Sequence, residues 1–377
     1  MRVTNTSTNR NFTSGINDVH SKLIKSFNKI STGKAYEAAA DNPLDYYEGK
    51  KIDNQYLDTI SKLSLISDVK NRLYEQELGA RSIQDTLSKA KLKVEFAASA
   101  TNNSSDATVQ TVRDDLLQKQ QSIVNELNAQ FQNCYIFGGN DLSTTPFTLS
   151  EDGTTLTFTH QFPGDATATK ITMELKEDPN SPGTYSYDIS DPDKLLQAMR
   201  EQGRIDIGYG NISNKNTLLD TYTGGINLLT GLNSDTLNAM SDADAKAAIQ
   251  ERLDKSPLGL IGSAVMTMND HIDDLKNGTA DCSAFSEKMG EVMEEMTLTE
   301  HYVSTVYSDL GNKYSLLETT ESKLTLSKQL LTEQYADKMG ADPYEAVMEM
   351  YSYQYSYSAA QQVATRLFQS SLFDFMR

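Results

Sequence analysis

Two long stretches of the sequence carry apolar or small residues at alternating spacings of four and three, and this repeat limits the possible folds more than any other feature. The first stretch reads Val69, Leu73, Gln76, Ala80, Ile83, Leu87, Ala90, Val94 and Ala97. The second reads Phe285, Met289, Val292, Met296, Thr299, Val303, Val306, Leu310, Lys313, Leu317, Thr320, Leu324, Ser327 and Leu331. A repeat of about 3.5 residues indicates the contact line of a coiled coil. We therefore predict two long helices that pack through these seams.

Further helical patterns lie on either side of the two seams. Apolar residues from Ile52 to Ile66 extend the first long helix back to Asp41-Asn42-Pro43, which is a helix-start signal. A separate helical face runs from Ile16 to Ile30. After Gly340-Ala-Asp342-Pro343, a final helix is predicted from Ala346, Met350, Tyr353, Tyr357, Ala360, Ala364 and Leu367.

The stretch Ser31-Thr32-Gly33-Lys34 is similar to the end of a phosphate-binding loop, but its surroundings indicate a helix end. That loop needs the pattern G-x-x-x-x-G-K-[ST] between a strand and a helix. Asn28 stands in the place of the first glycine, and Ala35 in the place of the hydroxyl residue. A glycine just after the last periodic residue, with a lysine in the final turn, is a helix-stop signal. We predict that Gly33 ends the first helix and that no nucleotide binds there.

A change in the pattern after Asn140 predicts a β-rich insertion. The helical pattern from Val109 to Cys134 comes before it. Alternating runs at 154–160, 169–176 and 184–189 are separated by turn sequences and predict strands. The Gly-, Asn- and Thr-rich residues 201–240 predict loops with short strands, and helical patterns return after Ser241.

The predicted fold is mainly α with a β-rich insertion. The seams of each half lack a partner within that half, so we expect an elongated antiparallel helical coiled-coil bundle built from the N- and C-terminal segments. The expected organisation has five segments. They are an N-terminal assembly helix and turn (1–42), the N-terminal half of the bundle (43–139), the inserted β-rich domain (140–240), the C-terminal half of the bundle (241–340) and a C-terminal assembly helix (341–377).

Composition and spacing argue against several partner classes and kinds of site. The formal net charge of −18 disfavours nucleic acid and anionic membranes as partners. No apolar run approaches the roughly 18 residues of a spanning helix, and the N-terminus lacks the apolar core of a signal peptide. The four histidines and two cysteines do not stand at metal-ligand spacing, and no catalytic or dinucleotide motif occurs. We expect no enzymatic activity, no metal and no cofactor.

The C-terminal segment has an unusual composition for a helix. Met350–Thr365, MYSYQYSYSAAQQVAT, contains no charged residue, and its alternating tyrosines taken alone would favour a strand. The four-three pattern through the same residues favours a helix, and such a helix is not expected to face water on any side. We therefore predict that other subunits cover it, together with the apolar tail that follows. The candidate subunit-contact residues are Ile16, Leu23, Phe27, Ile30, Tyr353, Tyr357, Leu367, Phe368, Leu372 and Phe373.

Several motifs resemble those of bacterial flagellar hook-associated protein 3, the flagellin-like family of hook–filament junction proteins. MRVTNTSTN, followed by Ile30–Lys34 and Asp41–Pro43, is similar to the family's M-R-I-[ST] opening and S-T-G-K…S-D-D-P turn. The segment from Tyr135-Ile-Phe-Gly-Gly139 to Pro146-Phe147 is similar to the family's Y-[IL]-F-[AG]-G…PF segment. Ala359-Ala360-Gln361 through Ser371-Leu-Phe-Asp-Phe375 is similar to its closing helix. Ala39-Ala40 and Asn42 depart from the family's Pro-Ser and Asp.

The resemblance covers roughly residues 1–150 and 285–377, and it implies a structural role in the flagellum. It implies a junction between hook-associated protein 1 and the flagellin filament, required for filament assembly and motility. The implied partners are hook-associated protein 1, flagellin, copies of the chain itself in a ring, and a cytoplasmic export chaperone. The implied location is extracellular, at the hook–filament junction, after type III export without a cleaved signal peptide.

Three other readings stay open at the level of sequence. The first is filament flagellin itself, which shares the terminal bundle, although the Tyr135–Phe147 segment favours the junction protein. The second is a non-flagellar coiled-coil surface scaffold or adhesin, which would not need both terminal motifs. The third is an enzyme within residues 140–280, which would need convergent catalytic groups that the sequence does not show there.

Overall fold

The computed structural model describes residues 5–178, 183–201, 204–206, 218–220 and 223–375. It divides the chain into two units. Unit 1 comprises Met1–Leu63 and Ser322–Arg377, and unit 2 comprises Ser64–Glu321. Unit 1 therefore combines segments from both ends of the sequence, whereas unit 2 is one continuous central segment.

Helices make up most of the described chain, as the sequence predicts. They are α1 (Asn5–Thr32), α2 (Pro43–Ala98), α3 (Asp106–Leu127), α4 (Pro192–Arg200), α5 (Gly225–Thr230), α6 (Ser234–Ala239), α7 (Asp242–Asp254), α8 (Pro257–Asn277), α9 (Cys282–Met339) and α10 (Pro343–Phe375). The strands are β1 (Gln130–Phe131), β2 (Cys134–Tyr135), β3 (Phe147–Leu149), β4 (Thr155–His160), β5 (Thr169–Glu177), β6 (Tyr185–Ile189), β7 (Arg204–Asp206) and β8 (Leu218–Asp220). The mainly α fold with a β insertion is confirmed.

The predicted seams form the contact between α2 and α9 in unit 2. Every residue of the first seam, from Val69 to Ala97, is buried. The two helices run antiparallel, because residue numbers on α9 fall as those on α2 rise. Lys70 pairs with Glu321, the ring centroids of Tyr74 and Tyr314 lie 6.0 Å apart, and Lys91 Nζ lies 2.7 Å from Glu300 Oε2. The predicted pairing of N- and C-terminal helices is therefore confirmed.

The insertion contains a four-stranded antiparallel sheet in the order β3-β4-β5-β6. Its strands alternate between buried and more exposed residues, as in Leu156, Phe158 and His160 against Thr155, Thr157 and Thr159. Such alternation places one face of a sheet on a core and the other toward water. The three predicted strand runs at 154–160, 169–176 and 184–189 correspond to β4, β5 and β6.

On each edge strand of this sheet, side chains from neighbouring elements form hydrogen bonds with the backbone N–H and C=O of one residue. At the β3 edge, Asn128 Nδ2 donates to the carbonyl oxygen of Phe147 at 2.7 Å, and Phe147 N donates to Asn128 Oδ1 at 2.9 Å. At the β6 edge, Tyr187 N donates to Asp254 Oδ1 at 2.7 Å, and Gln250 Nε2 donates to the Tyr187 carbonyl at 2.6 Å. On each edge one residue therefore has both backbone groups satisfied by side chains.

Two predicted element boundaries are wrong. The helical pattern extended to Cys134, but α3 ends at Leu127, and Gln130–Tyr135 form the β1–β2 hairpin instead. Gln132 and Asn133 between these strands have φ values of 52° and 63°, a conformation that turns the chain out of a helix. Residues 201–240 contain the expected short strands β7 and β8, but they also contain the helices α5 and α6.

The Tyr135–Phe147 segment, which carries part of the family resemblance, lies in the core of unit 2. Phe137 and Phe147 are completely buried. A Cβ atom on Gly138 would lie 2.0 Å from the carbonyl oxygen of Asp141, so the turn requires glycine there. Gln76, a polar member of the seam, donates through Nε2 to the carbonyl oxygens of Ile136 and Thr223. The side-chain amide of Gln76, a member of the α2 seam, thus binds the backbone of the Tyr135–Phe147 segment.

We predict that Gln76→Ala lowers the free energy of unfolding of unit 2 by about 1–3 kcal/mol, because a buried carbonyl group loses its donor. Denaturant unfolding followed by circular dichroism measures the change. Gln121→Ala is the matched control, since Gln121 is exposed on α3. An equal effect of the two substitutions would contradict the assignment of Gln76 as the residue that holds the segment.

His160 is a buried histidine that the sequence does not distinguish from the other three. It is 1% exposed and lies between the rings of Phe158 and Phe162, at centroid distances of 5.7 Å and 4.9 Å. Burial lowers the pKa of His160 below its ordinary value of 6.5, against the opposing influence of Asp141 and Glu201.

This shift predicts an acid-sensitive unit 2. The unfolded chain takes up the His160 proton near pH 6.5, whereas the folded chain takes it up only at lower pH. The contribution of neutral His160 to the unfolding free energy is therefore fully present above about pH 6.5, and it is lost as the pH drops toward the pKa of His160 in the folded chain. Unfolding free energies between pH 5 and 7.5 should show this slope in the wild type and in His301→Phe, whose histidine is exposed, but not in His160→Phe. A slope that persists in His160→Phe assigns it to another group.

Candidate assembly surface

The first helix ends where the glycine signal predicts. α1 ends at Thr32, and Gly33 has a φ of 68°, which favours glycine at a helix end. Lys34 lies in an extended bridge with Gly340 and not in a strand-to-helix loop. Asn42 Oδ1 accepts from the N–H of Asp45 at 3.3 Å and so caps α2 at its predicted start.

The turn between α1 and α2 is organised by Asp41. Its Oδ1 pairs with Lys25 Nζ at 2.9 Å, and its Oδ2 accepts from the backbone N–H groups of Ala38 at 3.2 Å and Glu37 at 3.4 Å. The hydrogen bond from Lys25, followed by that from Ala38, lowers the pKa of the Asp41 carboxyl. The sequence assigned this segment only to a helix start, and the carboxylate also closes the preceding loop.

Within unit 1, α1 and α10 pack against each other in antiparallel directions. Lys29 Nζ lies 3.1 Å from Glu349 Oε2, and the rings of His20 and Tyr357 have their centroids 5.2 Å apart. Ser26 on α1 is buried and donates to the carbonyl oxygen of Lys22 at 3.1 Å. The contact is therefore partly polar and leaves the opposite faces of both helices uncovered.

Unit 1 has very little apolar core of its own. Among its described side chains, only Met339 and Ala346 are fully buried apolar residues. Thirteen of the 22 large apolar side chains that are exposed in the described chain belong to unit 1. They are Ile24, Phe27, Ile30, Leu44, Tyr47, Leu57, Leu326, Leu330, Tyr344, Met348, Tyr351, Tyr355 and Val363. Exposed apolar surface of this kind marks interaction sites in soluble proteins.

The most regular part of this surface is a stripe on α10, which we call the outer stripe. It consists of Tyr344, Met348, Tyr351 and Tyr355, which are 77%, 55%, 61% and 79% exposed. Their spacing of four, three and four places them on one side of the helix. The outer stripe therefore presents a continuous line of exposed aromatic and thioether surface along α10.

A second stripe on α10 faces α1, and the two together explain the alternating tyrosines. The inner residues Ala346, Met350, Tyr353 and Tyr357 have the same spacing, shifted by two positions, and are buried or half-buried. Interleaving two helical stripes in this way places a tyrosine at every second position of 351–357. The predicted helix over Met350–Thr365 is confirmed, and the period of two does not indicate a strand.

The candidate contact residues occupy different places in unit 1. Ile16, Leu23, Tyr353 and Tyr357 are half-buried, whereas Phe27 and Ile30 are 60% and 37% exposed. Leu367, Phe368, Leu372 and Phe373 lie on α10, but their side chains fall outside the described part of the chain. Their role in subunit contact stays a prediction.

The sequence did not predict the outer stripe, because the prediction rested on the uncharged stretch Met350–Thr365. Tyr344 and Met348 precede that stretch. The signal that could have found them is the second four-three-four spacing, shifted by two positions from the first. On α1, Ile24 was missed as well, and it is 46% exposed beside Phe27.

No group of three or more His, Cys, Asp or Glu side chains in the described part of the chain could hold a metal ion. Across the same residues, no helix has the length and apolar character needed to cross a membrane.

Comparison with known proteins gives matches among solved structures only. No family model matches the chain, and no curated protein matches it. A protein assigned as a flagellar hook-associated protein from Vibrio parahaemolyticus is 13% identical, with a TM-score of 0.47 over 80% of this chain and 100% of that one. Bacillus cereus FlgL is 14% identical, with a TM-score of 0.39 over 76% and 99% of the two chains.

A further match is flagellar hook-associated protein 3 from Legionella pneumophila. It is 13% identical, with a TM-score of 0.41 over 76% of this chain and 98% of that one. Two of these three structures are named as flagellar hook-associated proteins, and the third is named as FlgL.

We predict that Phe27→Asp and Tyr355→Asp leave the unfolding free energy of the purified chain within about 0.5 kcal/mol, because substitutions of exposed side chains change few contacts. The matched buried substitution Phe137→Asp should prevent stable folding of unit 2, since that ring is completely buried. Thermal and denaturant unfolding measure both effects. A loss of several kcal/mol in Phe27→Asp or Tyr355→Asp would mean that these rings pack inside the free chain.

Proposed function

We propose that this chain is a structural protein of the bacterial flagellum that joins hook-associated protein 1 to the flagellin filament and is required for filament assembly. It acts as one of several copies in a ring outside the cell. A cytoplasmic chaperone holds it before type III export, which needs no cleaved signal peptide. It carries out no catalysis.

The observation that carries the proposal is the position of the terminal motifs in unit 1. Of the residues at the two chain ends that resemble the junction family, those that the structure describes belong to α1, the turn after it and α10. These elements carry eight of the 13 exposed large apolar side chains of unit 1, and Ala346 is the one buried apolar residue among their described side chains. Each such side chain is worth about 1.5–3 kcal/mol when it is buried, so a few of them supply a subunit contact.

The junction role is favoured over that of filament flagellin by the Tyr135–Phe147 segment. This segment resembles the junction family and not flagellin, and it supplies the buried rings of Phe137 and Phe147 to the core of unit 2. The two roles differ in what the cell loses. A missing filament subunit removes the filament material, whereas a missing junction protein leaves flagellin that is made and exported but not assembled.

The test is deletion of the gene in its own organism. The expected cells carry hooks with hook-associated protein 1 but no filaments, do not swim, and release flagellin monomer into the medium, as seen by electron microscopy and immunoblotting. Normal filaments in the deletion strain would refute the junction role. Loss of flagellin itself from cells and medium would assign the chain as flagellin.

Complementation with single variants then tests the surface. We predict that Phe27→Asp and Tyr355→Asp are exported but restore no filaments, because a buried carboxylate without a partner opposes contact. Phe96→Asp is the matched control, since Phe96 is 51% exposed but lies in unit 2, and it should restore swimming. Full motility with both unit 1 variants would show that assembly uses another surface.

A further inference from the structure

The formal charge of the chain is divided unequally between its two units. Unit 1 contains 14 Lys and Arg residues and 13 Asp and Glu residues, whereas unit 2 contains 20 and 39. The formal net charge is therefore +1 for unit 1 and −19 for unit 2, which together give the −18 of the whole chain. The acidic character of the protein thus belongs to unit 2, and the unit that contains the terminal helices is close to neutral.

Many positive side chains of unit 2 are already paired within that unit. Among the described side chains, 13 of its Lys and Arg residues form ion pairs with its own carboxylates. Lys91 and Glu300, for example, join α2 to α9 with side chains that are 26% and 16% exposed. A cation paired in this way is largely neutralised when it is viewed from another copy, so the excess carboxylates dominate the potential around unit 2.

The excess negative charge lies on exposed side chains of several elements. Glu95 on α2, Asp165 between β4 and β5, and Glu287, Glu291 and Glu294 on α9 are all exposed. The carboxylates thus come from a helix of the N-terminal half, a loop of the β insertion and a helix of the C-terminal half. The charge is spread over unit 2 and is not confined to one cluster.

Unit 1 presents the opposite kind of surface. It is close to neutral, and it carries the exposed apolar side chains described above, including Tyr355 at 79% exposure. Contact through such a surface is little opposed by charge. Helices α2 and α9 each contribute residues to both units. Two copies that meet through unit 1 therefore carry their acidic units with them.

Repulsion between two such acidic units depends on the salt concentration. A protein whose net charge is far from zero tends to stay monomeric, because copies of it repel each other. The range of this repulsion between exposed charges is about 30 Å at 0.01 M salt, about 8 Å at 0.15 M and about 3 Å at 1 M. Added salt therefore weakens the repulsion between copies of unit 2.

We propose that unit 2 presents a surface that repels the unit 2 of a second copy, while unit 1 supplies the attraction between copies. Ionic strength then controls self-association of the chain, which stays monomeric when the acidic units are poorly screened and associates when they are screened. This inference rests on the proposed role of unit 1 in contacts between copies, and it adds a distinct role for unit 2.

The test compares self-association of purified full-length variants by sedimentation velocity, between about 20 and 500 mM NaCl. The amide variant replaces six exposed carboxylates of unit 2 and changes its formal charge from −19 to −13. Its substitutions are Glu95→Gln, Glu151→Gln, Asp165→Asn, Glu287→Gln, Glu291→Gln and Glu294→Gln. The matched control exchanges Glu and Asp at the same six positions and so keeps the charge. Circular dichroism verifies that both fold like the wild type.

The expected association constant of the wild type and of the control rises about tenfold or more from low to high salt. The amide variant should associate about tenfold more strongly than the wild type at low salt, and the two should converge at high salt. Variants with only the three α9 amides, or only the other three, should each show part of the effect. An effect confined to one of these half sets would indicate a local contact and overturn the proposal.

Static light scattering on the same proteins gives the second virial coefficient, which measures repulsion between monomers even where no association occurs. At low salt we expect a more positive value for the wild type and the control than for the amide variant. Equal values for the amide variant and the control, in both measurements, would overturn the proposal. Association of the wild type that weakens with added salt would overturn it as well.

A further variant separates this inference from the proposed function. Tyr355→Ser removes an exposed ring of unit 1 without changing the charge, and it should weaken association about tenfold at every salt concentration. Association equal to that of the wild type would count against the contact role of unit 1. The comparison of the amide variant with its control would still decide whether the charge of unit 2 opposes association.

Discussion

The antiparallel contact between α2 and α9 is the interaction on which unit 2 depends. Its apolar residues exclude water along one continuous line, and its polar residues bind the elements around it. Gln76 on α2 donates to the segment that follows β2. On the other helix, Thr299 Oγ1 donates to the carbonyl oxygen of Lys255, between α7 and α8, at 2.7 Å. Polar residues within the seam thus connect the helix pair to the rest of the unit, so the core and its surroundings are held by the same helices.

The residues of the same repeat are less buried in unit 1 than in unit 2. Ile52, Tyr56 and Leu63 continue the seam on α2 but are only half-buried, as are Leu324 and Leu331 on α9. In unit 2 further helices and the sheet pack around the pair, whereas the described part of unit 1 contains only helices. A pair of helices covers one stripe of each partner and leaves the remaining apolar side chains in water. This is the physical reason why unit 1 exposes the surface to which we assign assembly.

The sequence was most informative where local spacing decides the structure. The seam from Val69 to Ala97, the helix end at Gly33 and the strand β4 all follow from periodicity and from the preferences of glycine. The spacing identifies a contact line, but it does not show how many neighbours cover the helix, so the exposure of Phe27 could not be predicted. The same limit explains why Tyr344 and its outer stripe were missed.

Where tertiary contacts decide, the sequence was less informative. Residues 225–230 form α5 with every residue buried, and a helix that is buried on all sides has no amphipathic period to detect. Beyond Leu127, Gln130 and Cys134 continued the helical spacing by coincidence, and the backbone conformation of Gln132 and Asn133 ended it. The hydrogen bonds of Gln76 join residues that are far apart in the sequence, so no local pattern could reveal them.

The side chains at the edges of the β sheet have a consequence for how copies of the chain meet. A bare edge strand offers its free N–H and C=O groups to any extended peptide, and proteins at high local concentration can join through such edges. Here Asn128 occupies both groups of Phe147, and Asp254 with Gln250 occupies both groups of Tyr187. A crowded population of this protein therefore finds the hydrogen-bonding groups blocked at the start of β3 and at the centre of β6, and its sheet is protected at these two positions from cross-β polymerisation.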